Sequence, residues 1–371
     1  MSIVIFSPVK PGYSETFINV HIHKLPFQTY NIHSLPKRGY FPIYDGHGQV
    51  LFSDNIVVNY LEAGIDRLFG ESGIGYTLRK KNLKKFLKDQ SITHAISEYG
   101  PTGTYVMNLL SEMDIPLIPY FHGRDAFHYQ TLDRFGKKYK RLFDQAYKIF
   151  CVSKNMRDQL LSLGADASKI IINPCTPNTD VFKLEQKSRI RNQFMSVGRF
   201  CDKKAPLNTI KSVELALNEV EDLSLLMIGD GPLFEDCKSY IEENGLADQI
   251  KLLGRKAPED IAKMFNESFG FLQHSVRAKD GDSEGTPVAV MEAMVCGCPV
   301  ISTYHAGIPD VVKDGVHGYL VEEGDVEGMS KKIIALTQLE NIEQMRHACV
   351  NRVLTEYTLE KHINRISQVL Q

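Results

Sequence analysis

The sequence predicts an α/β protein of two domains, each built on a parallel, doubly wound sheet with helices on both faces. The chain has 371 residues, more than one hydrophobic core usually serves, so two domains are favoured. From Phe194 onward, short apolar runs alternate with amphipathic segments. Repeated strand and helix units of this kind are typical of parallel sheets.

The alternation is clearest in the second half of the chain. Strands are predicted there at FMSVG, SLLMIG, IKLLG, FGFLQHS and PVIST, with helices at 205–220, 231–244, 258–266, 287–296 and near 308. In the first half, strands are predicted at IVIF, HAISE, IPLIPYF, KIFCVS and KIIINPC, with helices near 15–24, 102–112, 130–145 and 154–163. Two similar domains follow from this rhythm.

The segment NPCTPNTDVFKLEQKSRIRNQ combines prolines, asparagines and a charge run, which is typical of a linker. We therefore expect a first domain at 1–173, a linker at 174–190 and a second domain at 191–355. Residues 356–371 are predicted to form a final helix that could pack on either domain.

Composition indicates an ordinary globular protein, with 43% hydrophobic and 24% charged residues. No apolar stretch approaches the roughly 18 residues of a spanning helix, and the first apolar run is predicted to be a strand rather than a signal peptide.

The seven cysteines include no CxxC pair, so they fit neither a disulfide framework nor a common zinc spacing. Because cysteines outside disulfides are typical of a reducing compartment, we expect a cytoplasmic protein. Cys296-x-Cys298 is too tight for most zinc sites, and His21-x-His23 is interpreted as packing or solvated surface.

Charge is unevenly distributed. Residues 1–185 carry 22 basic and 17 acidic side chains, a net charge of +5, whereas the remainder carries 21 and 28, a net charge of −7. This imbalance is too mild for nucleic-acid binding. A run of basic residues nevertheless predicts a helix with a basic face, either solvated or in peripheral contact with an anionic membrane: Arg79, Lys80, Lys81, Lys84, Lys85 and Lys88.

The richest stretch of the sequence is DGDSEGTPVAVMEAMVCGCPVIST. Thr286 can cap a helix, Pro287 suits its first position and Gly297 suits its end. This predicts a helix that begins at the carboxyl end of a strand, where ligands bind in open α/β sheets. The free N–H groups of such a helix favour a phosphate, so a diphosphate site is expected.

Charged residues accompany this helix. Glu284 precedes it, and Glu292, inside it among apolar neighbours, either accepts two ribose hydroxyls or forms a salt bridge or an exposed helix face. Arg199 and Lys204 follow the first strand of the second domain in SVGRFCDKKAP. They either neutralise a diphosphate or are solvated loop charges, and Lys203 is the weaker candidate of the turn.

The segment EGTPVAVME resembles the E-x7-E signature of retaining glycosyltransferases of family 4. The resemblance covers most of the chain and includes GRFCDKK, IGDGP, LLGRK, HSVRAKDGDSEGTP, CGCPVIS and GIPDVV in the second half, with SETF, FHGRD and CVSKNMRDQL in the first. It implies the GT-B fold, in which two Rossmann-like domains face a cleft. The donor nucleotide would bind the second domain, and the acceptor would bind mainly the first.

The resemblance also implies site roles. Arg199 and Lys204 would contact phosphates, Glu292 the ribose hydroxyls and Glu284 the donor-sugar hydroxyls. Contacts to the donor phosphate or sugar would come from Gly285 and from the backbone of Thr286, Pro287 and Val288, and the nucleobase would lie near Arg255 and Lys256.

The first domain contributes four candidate residues. Gly12, in a PGY segment where many members of the family carry two adjacent glycines, would let the backbone approach the diphosphate or is an ordinary turn glycine. Glu15 either starts a helix or orients the acceptor. His122 in PYFHGRDAF would by resemblance contact the donor sugar near the reacting carbon, although a lone histidine is more often structural. Asp125 would orient His122 or the acceptor, or cap a helix.

No metal and no cofactor are expected. Asp280-x-Asp282 has the spacing of the metal-binding DxD of the GT-A fold, but Arg199, Lys204 and a helix N-terminus already supply positive charge. Neither GxGxxG nor GxxxxGK[ST] occurs, which disfavours an NAD-dependent dehydrogenase and a P-loop nucleotidase.

The predicted function is the transfer of a sugar, with retention, from a UDP- or GDP-linked donor to a glycan or lipid-linked glycan acceptor in polysaccharide or surface-glycan assembly. The resemblance implies same-face attack without an enzymatic nucleophile, so Glu284 is not assigned that role. The alternatives are a non-catalytic nucleotide-sugar-binding protein and a GT-B sugar-nucleotide epimerase or hydrolase.

Overall fold

The computed structural model describes residues 1–8, 16–33 and 74–371, and these contain two six-stranded parallel sheets. The first sheet has the order β2-β1-β3-β4-β5-β6. Its strands are β1 Ser2–Ser7, β2 Gln28–His33, β3 Ile92–Glu98, β4 Leu117–Phe121, β5 Ile149–Cys151 and β6 Ile170–Ile172. Its helices are α1 Thr16–Lys24, α2 Ile74–Asp89, α3 Gly100–Ser111, α4 Arg124–Phe127, α5 Tyr129–Gln145 and α6 Lys154–Ser162, followed by a 3-10 turn at Ala167–Lys169.

The second sheet has the order β9-β8-β7-β10-β11-β12. Its strands are β7 Gln193–Val197, β8 Ser224–Ile228, β9 Ile250–Leu252, β10 Gly270–Leu272, β11 Val300–Thr303 and β12 Gly318–Val321. A 3-10 turn at Asp202–Lys204 precedes α7 Pro206–Ala216. The remaining helices are α8 Phe234–Glu243, α9 Pro258–Glu267, α10 Val288–Val295, α11 Ile308–Val311, α12 Val326–Thr337, α13 Ile342–Glu356 and α14 Leu359–Leu370.

Strand order reverses once in each sheet, between β1 and β3 and between β7 and β10. In the second sheet the reversal is fixed by the parallel pairing of Phe271 with Met195. Because successive connections leave such a point on opposite faces of the sheet, a crevice opens outside the carboxyl ends of the two strands. Ligand sites are therefore expected after β7 and β10.

Each sheet has its own apolar core. Ile3, Tyr120 and Phe150 are fully buried in the first core, and Phe271 in the second. The last helix, α14, packs on the first core through Ile366 and Leu370, so the end of the chain lies against the domain in which it began. The domain boundaries at 1–173, 174–190, 191–355 and 356–371 stay a prediction.

The predicted fold class of two doubly wound parallel sheets is confirmed. Sequence reasoning missed β2 and β12 because QTYNIH is largely polar and GYLV is short, and both strands lie at sheet edges where less burial is needed. Within the described residues, no helix is long and apolar enough to cross a membrane.

Candidate functional site

Lys204 lies at the point of the second sheet where the strand order reverses, between β7 and β10. Lys204 Nζ lies 3.1 Å from Oε2 of Glu284 and donates to Oε1 of Gln273 at 3.2 Å. Local sequence sets this position, because Ala205 adopts a left-handed conformation (φ 37°, ψ 56°) and Pro206 then starts α7. The turn after β7 is thereby joined to the segment after β10.

Arg199 lies on the same turn but differs in its surroundings. It is exposed and forms no ion pair within the described part of the chain. It lines a small cavity together with Gly198, Lys204 and Gln273. The turn after β8 approaches closely here, since a Cβ on Gly229 would overlap the carbonyl oxygen of Gly198. Arg199 is thus a cation at the edge of this crevice that has no ion-pair partner among the described residues.

Glu284 is a buried residue with an acidic side chain, and 5% of the whole residue is exposed. Burial alone would raise its pKa, but Lys204 and Lys203 outweigh burial and lower the pKa, so the group is ionised. Its Oε1 is buried and has no hydrogen-bond partner among the described residues. An unpaired buried oxygen is costly, and a ligand hydroxyl would satisfy it.

The loop that carries Glu284 is held by a histidine that sequence reasoning missed. The Glu284 backbone N–H donates to Nε2 of His305 at 3.2 Å, which leaves the ring proton on Nδ1. That nitrogen lies 2.6 Å from Oε1 of Glu323. This arrangement fixes the tautomer of His305 and the path of the loop.

The two carboxylates of the Asp280-x-Asp282 segment contact different side chains. Asp282 lies 3.3 Å from Nζ of Lys203, and Asp280 lies 3.4 Å from Nε2 of His128 in the first domain. Lys203 also donates to the Ser283 carbonyl oxygen at 3.2 Å. The residues that the structure describes contain no group of three or more His, Cys, Asp or Glu side chains able to hold a metal ion.

The predicted cap of α10 is wrong. The helix starts at Val288, after Pro287, and no side chain caps it. The Thr286 hydroxyl instead accepts from the Cys175 N–H at 3.0 Å and donates to the Val152 carbonyl oxygen at 3.4 Å. Tertiary contacts across the two domains outcompete the local cap. The first N–H groups of α10 therefore lack a side-chain acceptor, which suits an anion.

Glu292 lies on α10 and is partly buried. Burial raises its pKa to about 7, with Lys204 acting in the opposite direction. Its carboxylate forms no hydrogen bond or ion pair within the described ranges. A carboxylate without partners in apolar surroundings fits the predicted role as a hydroxyl acceptor better than the predicted alternative of a salt bridge.

Arg255 and Lys256 follow β9 and are both exposed. Arg255 lies 3.1 Å from Oδ2 of Asp230, which belongs to the turn after β8. The structure therefore brings Arg255 to the same carboxyl edge as Arg199, with the end of β8 between them. Lys256 has no ion pair among the described residues.

His122 follows β4 and faces the second domain through its backbone. A Cβ on Gly285 would overlap the His122 carbonyl oxygen, so only glycine permits this approach. Asp125 is buried and accepts from the N–H groups of His122 (3.0 Å), Gly123 (2.9 Å) and Gly100 (3.0 Å). Asp125 therefore holds the turn of His122 through its backbone. Of the other first-domain candidates, Gly12 and Glu15 lie outside the described residues.

The His122 ring has a partner that sequence reasoning missed. Its Nε2 lies 2.7 Å from Oε2 of Glu98, a fully buried residue at the end of β3. Glu98, Gln273 and His305 share one signal, since each lies at the end of an apolar strand or within two residues after it. A polar side chain at that place in a parallel sheet could have been selected from the sequence.

Comparison with known proteins agrees with this geometry. Residues 180–353 match the family described as Glycosyl transferases group 1, and residues 45–181 match Glycosyltransferase Family 4. The amylovoran biosynthesis glycosyltransferase AmsK of Erwinia amylovora is 30% identical over 296 residues, which are 78% of this chain and 72% of that protein. A protein of Salmonella typhimurium assigned to colanic acid biosynthesis as the glycosyltransferase WcaL is 26% identical over 294 residues, 77% of this chain and 71% of the relative.

Among solved structures, Anabaena HepE in complex with UDP superposes with a TM-score of 0.78 at 15% identity, covering 100% of this chain and 99% of HepE. A sucrose-phosphate synthase from Thermosynechococcus elongatus gives a TM-score of 0.75 at 14% identity, covering 100% of this chain and 98% of the synthase. These likenesses concern the fold. With the two sheets and the family matches together, the chain belongs to the family 4 glycosyltransferases and has the GT-B fold.

Proposed function

We propose that this glycosyltransferase transfers a sugar from a nucleotide diphosphate donor, linked to UDP or GDP, to a glycan or lipid-linked glycan acceptor, with retention and without a metal ion. The observation that carries the proposal is the Lys204–Glu284 pair at the reversal point of the second sheet, next to the uncapped start of α10. The cation, the helix N-terminus and a buried carboxylate with one unpaired oxygen together match a diphosphate joined to a polyhydroxylated sugar.

The parts of the donor would be bound in order along the carboxyl edge. Arg199, Lys204 and the N–H groups of α10 would bind the diphosphate. Glu292 would accept from the ribose hydroxyls, and Glu284 from the sugar hydroxyls. The base would lie toward Arg255 and Lys256. UDP, the ligand named for HepE, supports a uridine donor as the first one to test.

His122 would lie beside the sugar, because its carbonyl oxygen abuts Gly285, between the donor loop and α10. Arg199 and Lys204 would stabilise the charge that develops on the departing diphosphate, and that leaving group would take the acceptor proton. Closure of the cleft would exclude water. The names of AmsK and WcaL support an acceptor in polysaccharide assembly.

The proposal is tested in two steps. A thermal-shift panel of UDP, GDP, ADP and CDP should raise the melting temperature with one base in preference to the others, because a ligand that binds only the folded state stabilises it. Donors built on that nucleotide are then incubated with glycan acceptors, and the anomeric configuration of the product is read by NMR. A new glycosidic bond with retained configuration supports the proposal. A free sugar, an epimerised donor or binding without turnover would instead identify a hydrolase, an epimerase or a non-catalytic binding protein.

A further inference from the structure

A chain of buried titratable side chains runs from His122 to the C-terminal helix. Oε2 of Glu98 lies 2.7 Å from Nε2 of His122, and Oε1 lies 2.6 Å from Nδ1 of His21 on α1. Nε2 of His21 lies 2.8 Å from Nε2 of His362 on α14, whose Nδ1 donates to the Pro174 carbonyl oxygen at 2.8 Å. Glu98 and His21 are fully buried and His362 is 1% exposed, so water does not complete these contacts.

The Pro174 carbonyl oxygen and the Glu98 carboxylate can only accept hydrogen bonds, and they determine which ring nitrogens of His362 and His21 donate. A carbonyl oxygen only accepts, so the proton of His362 is on Nδ1. Burial lowers the pKa of His362 to about 3, which keeps it neutral and leaves its Nε2 without a proton. His21 must then donate from Nε2 to His362. The other ring nitrogen of His21, Nδ1, faces the Glu98 carboxylate, so both ring nitrogens of His21 face hydrogen-bond acceptors.

The same logic applies to His122. Burial by itself would raise the pKa of Glu98 and lower that of His122. His21 and His122 lower the pKa of Glu98, and the side chain of Cys175, followed by the contact with Glu98, raises the pKa of His122. The ring of Tyr120 lies against both imidazoles, 4.5 Å from His122 and 5.2 Å from His21 between centroids. These ring contacts and the contact with Glu98 fix the orientation of the His122 ring.

The chain is unlike an ordinary structural ion pair because its members come from four elements of the fold: α1, β3, the end of β4 and α14. The other titratable or charged groups that act on it are Asp125 and Cys175 on His122, and Cys151 and Arg365 on Tyr120. Glu98 is the carboxylate in direct contact with His122, at 2.7 Å, and it contacts His21 through its other oxygen. Glu98 therefore acts on His122 together with Cys175, and its own position depends, through His21, on α14.

We infer that Glu98, His21 and His362 are positioning residues that keep His122 protonated and oriented beside the donor sugar, and this inference rests on the proposed function. A cationic His122 next to Gly285 favours departure of the diphosphate. The C-terminal helix is then part of the catalytic apparatus through His362, although it contributes no group to the cleft itself.

The test uses the full chain and compares shape-conserving variants. Glu98→Gln keeps the volume of the side chain but offers one donor and one acceptor in place of two acceptors. His362→Gln can still donate to the Pro174 carbonyl oxygen and accept from His21, whereas His362→Leu can do neither. His23→Gln on the exposed face of the same helix α1 is the matched control.

We expect Glu98→Gln and His362→Leu to lower kcat at least about tenfold with donor KM nearly unchanged, as for other outer partners that orient a histidine. The alkaline limb of the kcat profile should move to lower pH by at least about one unit, because the carboxylate no longer supports the imidazolium. His362→Gln should recover most of the activity, and His23→Gln should match the wild type.

A second readout does not need activity. Histidine-selective ¹⁵N NMR, with the His122 signal assigned by His122→Gln, follows the protonation of His122 directly in the wild type and in Glu98→Gln. A lower His122 pKa in folded Glu98→Gln supports the chain even if no donor is turned over, in which case the proposed function fails alone. Unchanged titration, or equal loss of kcat and nucleotide binding in Glu98→Gln, overturns the inference.

Discussion

The ammonium group of Lys204 lies 3.1 Å from the carboxylate of Glu284, and this pair links the first turn of the second domain to the loop before α10. Both side chains are largely buried, 17% and 7% exposed. An ion pair of this kind is hard to justify by stability alone, because desolvation opposes it. A diphosphate sugar would use both members at once, the cation for phosphate and the carboxylate for hydroxyls.

Replacement of Lys204 by methionine should therefore reduce both activity and stability. Loss of a charge-assisted contact to the leaving group should cost about 2–4 kcal/mol of transition-state stabilisation, roughly 30- to 1000-fold in kcat/KM. Stability should fall by roughly 1–3 kcal/mol because Glu284 keeps a buried carboxylate that has lost its hydrogen-bonded partner. The double variant with Glu284→Gln should regain stability but not activity, as measured by urea unfolding and initial rates. Near-normal kcat/KM in folded Lys204→Met would remove Lys204 from the site.

Replacement of Arg199 should separate the effect on activity from the effect on stability. This arginine is exposed and has no ion pair among the described residues, so Arg199→Ala should leave the free energy of unfolding nearly unchanged. If it binds the diphosphate, kcat/KM should still fall by roughly 30- to 1000-fold. Arg191, another exposed arginine, is a suitable control at Arg191→Ala. Equal kinetics in the two variants would show that Arg199 is only a solvated charge.

The positions of these two cations could be predicted from the sequence because a βα turn is a local feature. GRFCDKK follows an apolar run and precedes a helix with proline at its first position, so the carboxyl edge of the sheet was evident. The partner of each cation was not evident. Lys204 meets Gln273, whose contact depends on the reversal of strand order between β7 and β10, a property of topology rather than of spacing.

Interactions between distant segments limited the prediction most. Thr286 has the sequence context of a helix cap, yet its hydroxyl contacts Val152 and the backbone N–H of Cys175 in another part of the chain. The spacing His21-x-His23 indicates packing or solvated surface. His21 is buried, and its two hydrogen-bond partners, 77 and 341 residues away, do not follow from that spacing. Local pattern identifies elements and their ends, whereas the pairing of buried polar groups depends on how those elements assemble.

Glu292 gives a prediction about pH. Its pKa is raised from 4.5 to about 7, so the folded state binds a proton more tightly than the unfolded state does. Between these values stability falls as pH rises, and above about pH 7 the ionised carboxylate costs stability. Glu292→Gln should thus increase the free energy of unfolding at pH 8 by roughly 1–3 kcal/mol and change it little at pH 4. Denaturant unfolding at both values measures this.

Ionisation of Glu292, which lowers the stability of the protein, should raise its affinity for the nucleotide. An ionised carboxylate accepts from two ribose hydroxyls, so binding of the selected nucleoside diphosphate to the wild type should weaken as pH falls below about 7. Calorimetric titration at pH 6 and pH 8 compares the two states, and Glu292→Gln should bind weakly at both. Parallel pH dependence in the two proteins would rule out Glu292 as the ribose acceptor.

Sugar transfer should not require a metal ion. Asp282 already faces the ammonium group of Lys203 at 3.3 Å, and Asp280 lies next to His128, so the two carboxylates do not converge on one point. We expect full sugar transfer after treatment with EDTA and no change of metal dependence in Asp282→Ala. Added Mn²⁺ serves as the comparison. Strict dependence on Mn²⁺ in a folded protein would show that the donor diphosphate is bound by a different chemistry.

The last prediction concerns a basic surface of the first domain, formed by α2 and α5. Leu83 and Leu87 of α2 are buried in the first core, which turns Lys81, Lys85 and Lys88 toward solvent. Two contacts tie both helices to α3 and its end: Lys84 lies 2.7 Å from Glu112, and Arg141 donates to Asn108 at 3.1 Å. On α5 the exposed basic residues are Arg134, Lys137, Lys138, Lys140 and Arg141.

A lipid-linked acceptor would bring this surface close to an anionic leaflet. Each engaged lysine or arginine contributes on the order of 1 kcal/mol near such a surface, so four of them give reversible attachment that salt should release. Liposome sedimentation with and without anionic lipid should show binding of the wild type and loss of binding when Lys81, Lys84, Lys85 and Lys88 are changed to glutamate. The matched control carries the same charge change on the second domain, at Lys211, Lys238, Lys251 and Lys263. Net charge is equal in the two variants. Liposome binding that the control variant keeps and the α2 variant loses therefore assigns the contact to α2. Absence of binding in all three proteins would leave the basic face simply solvated.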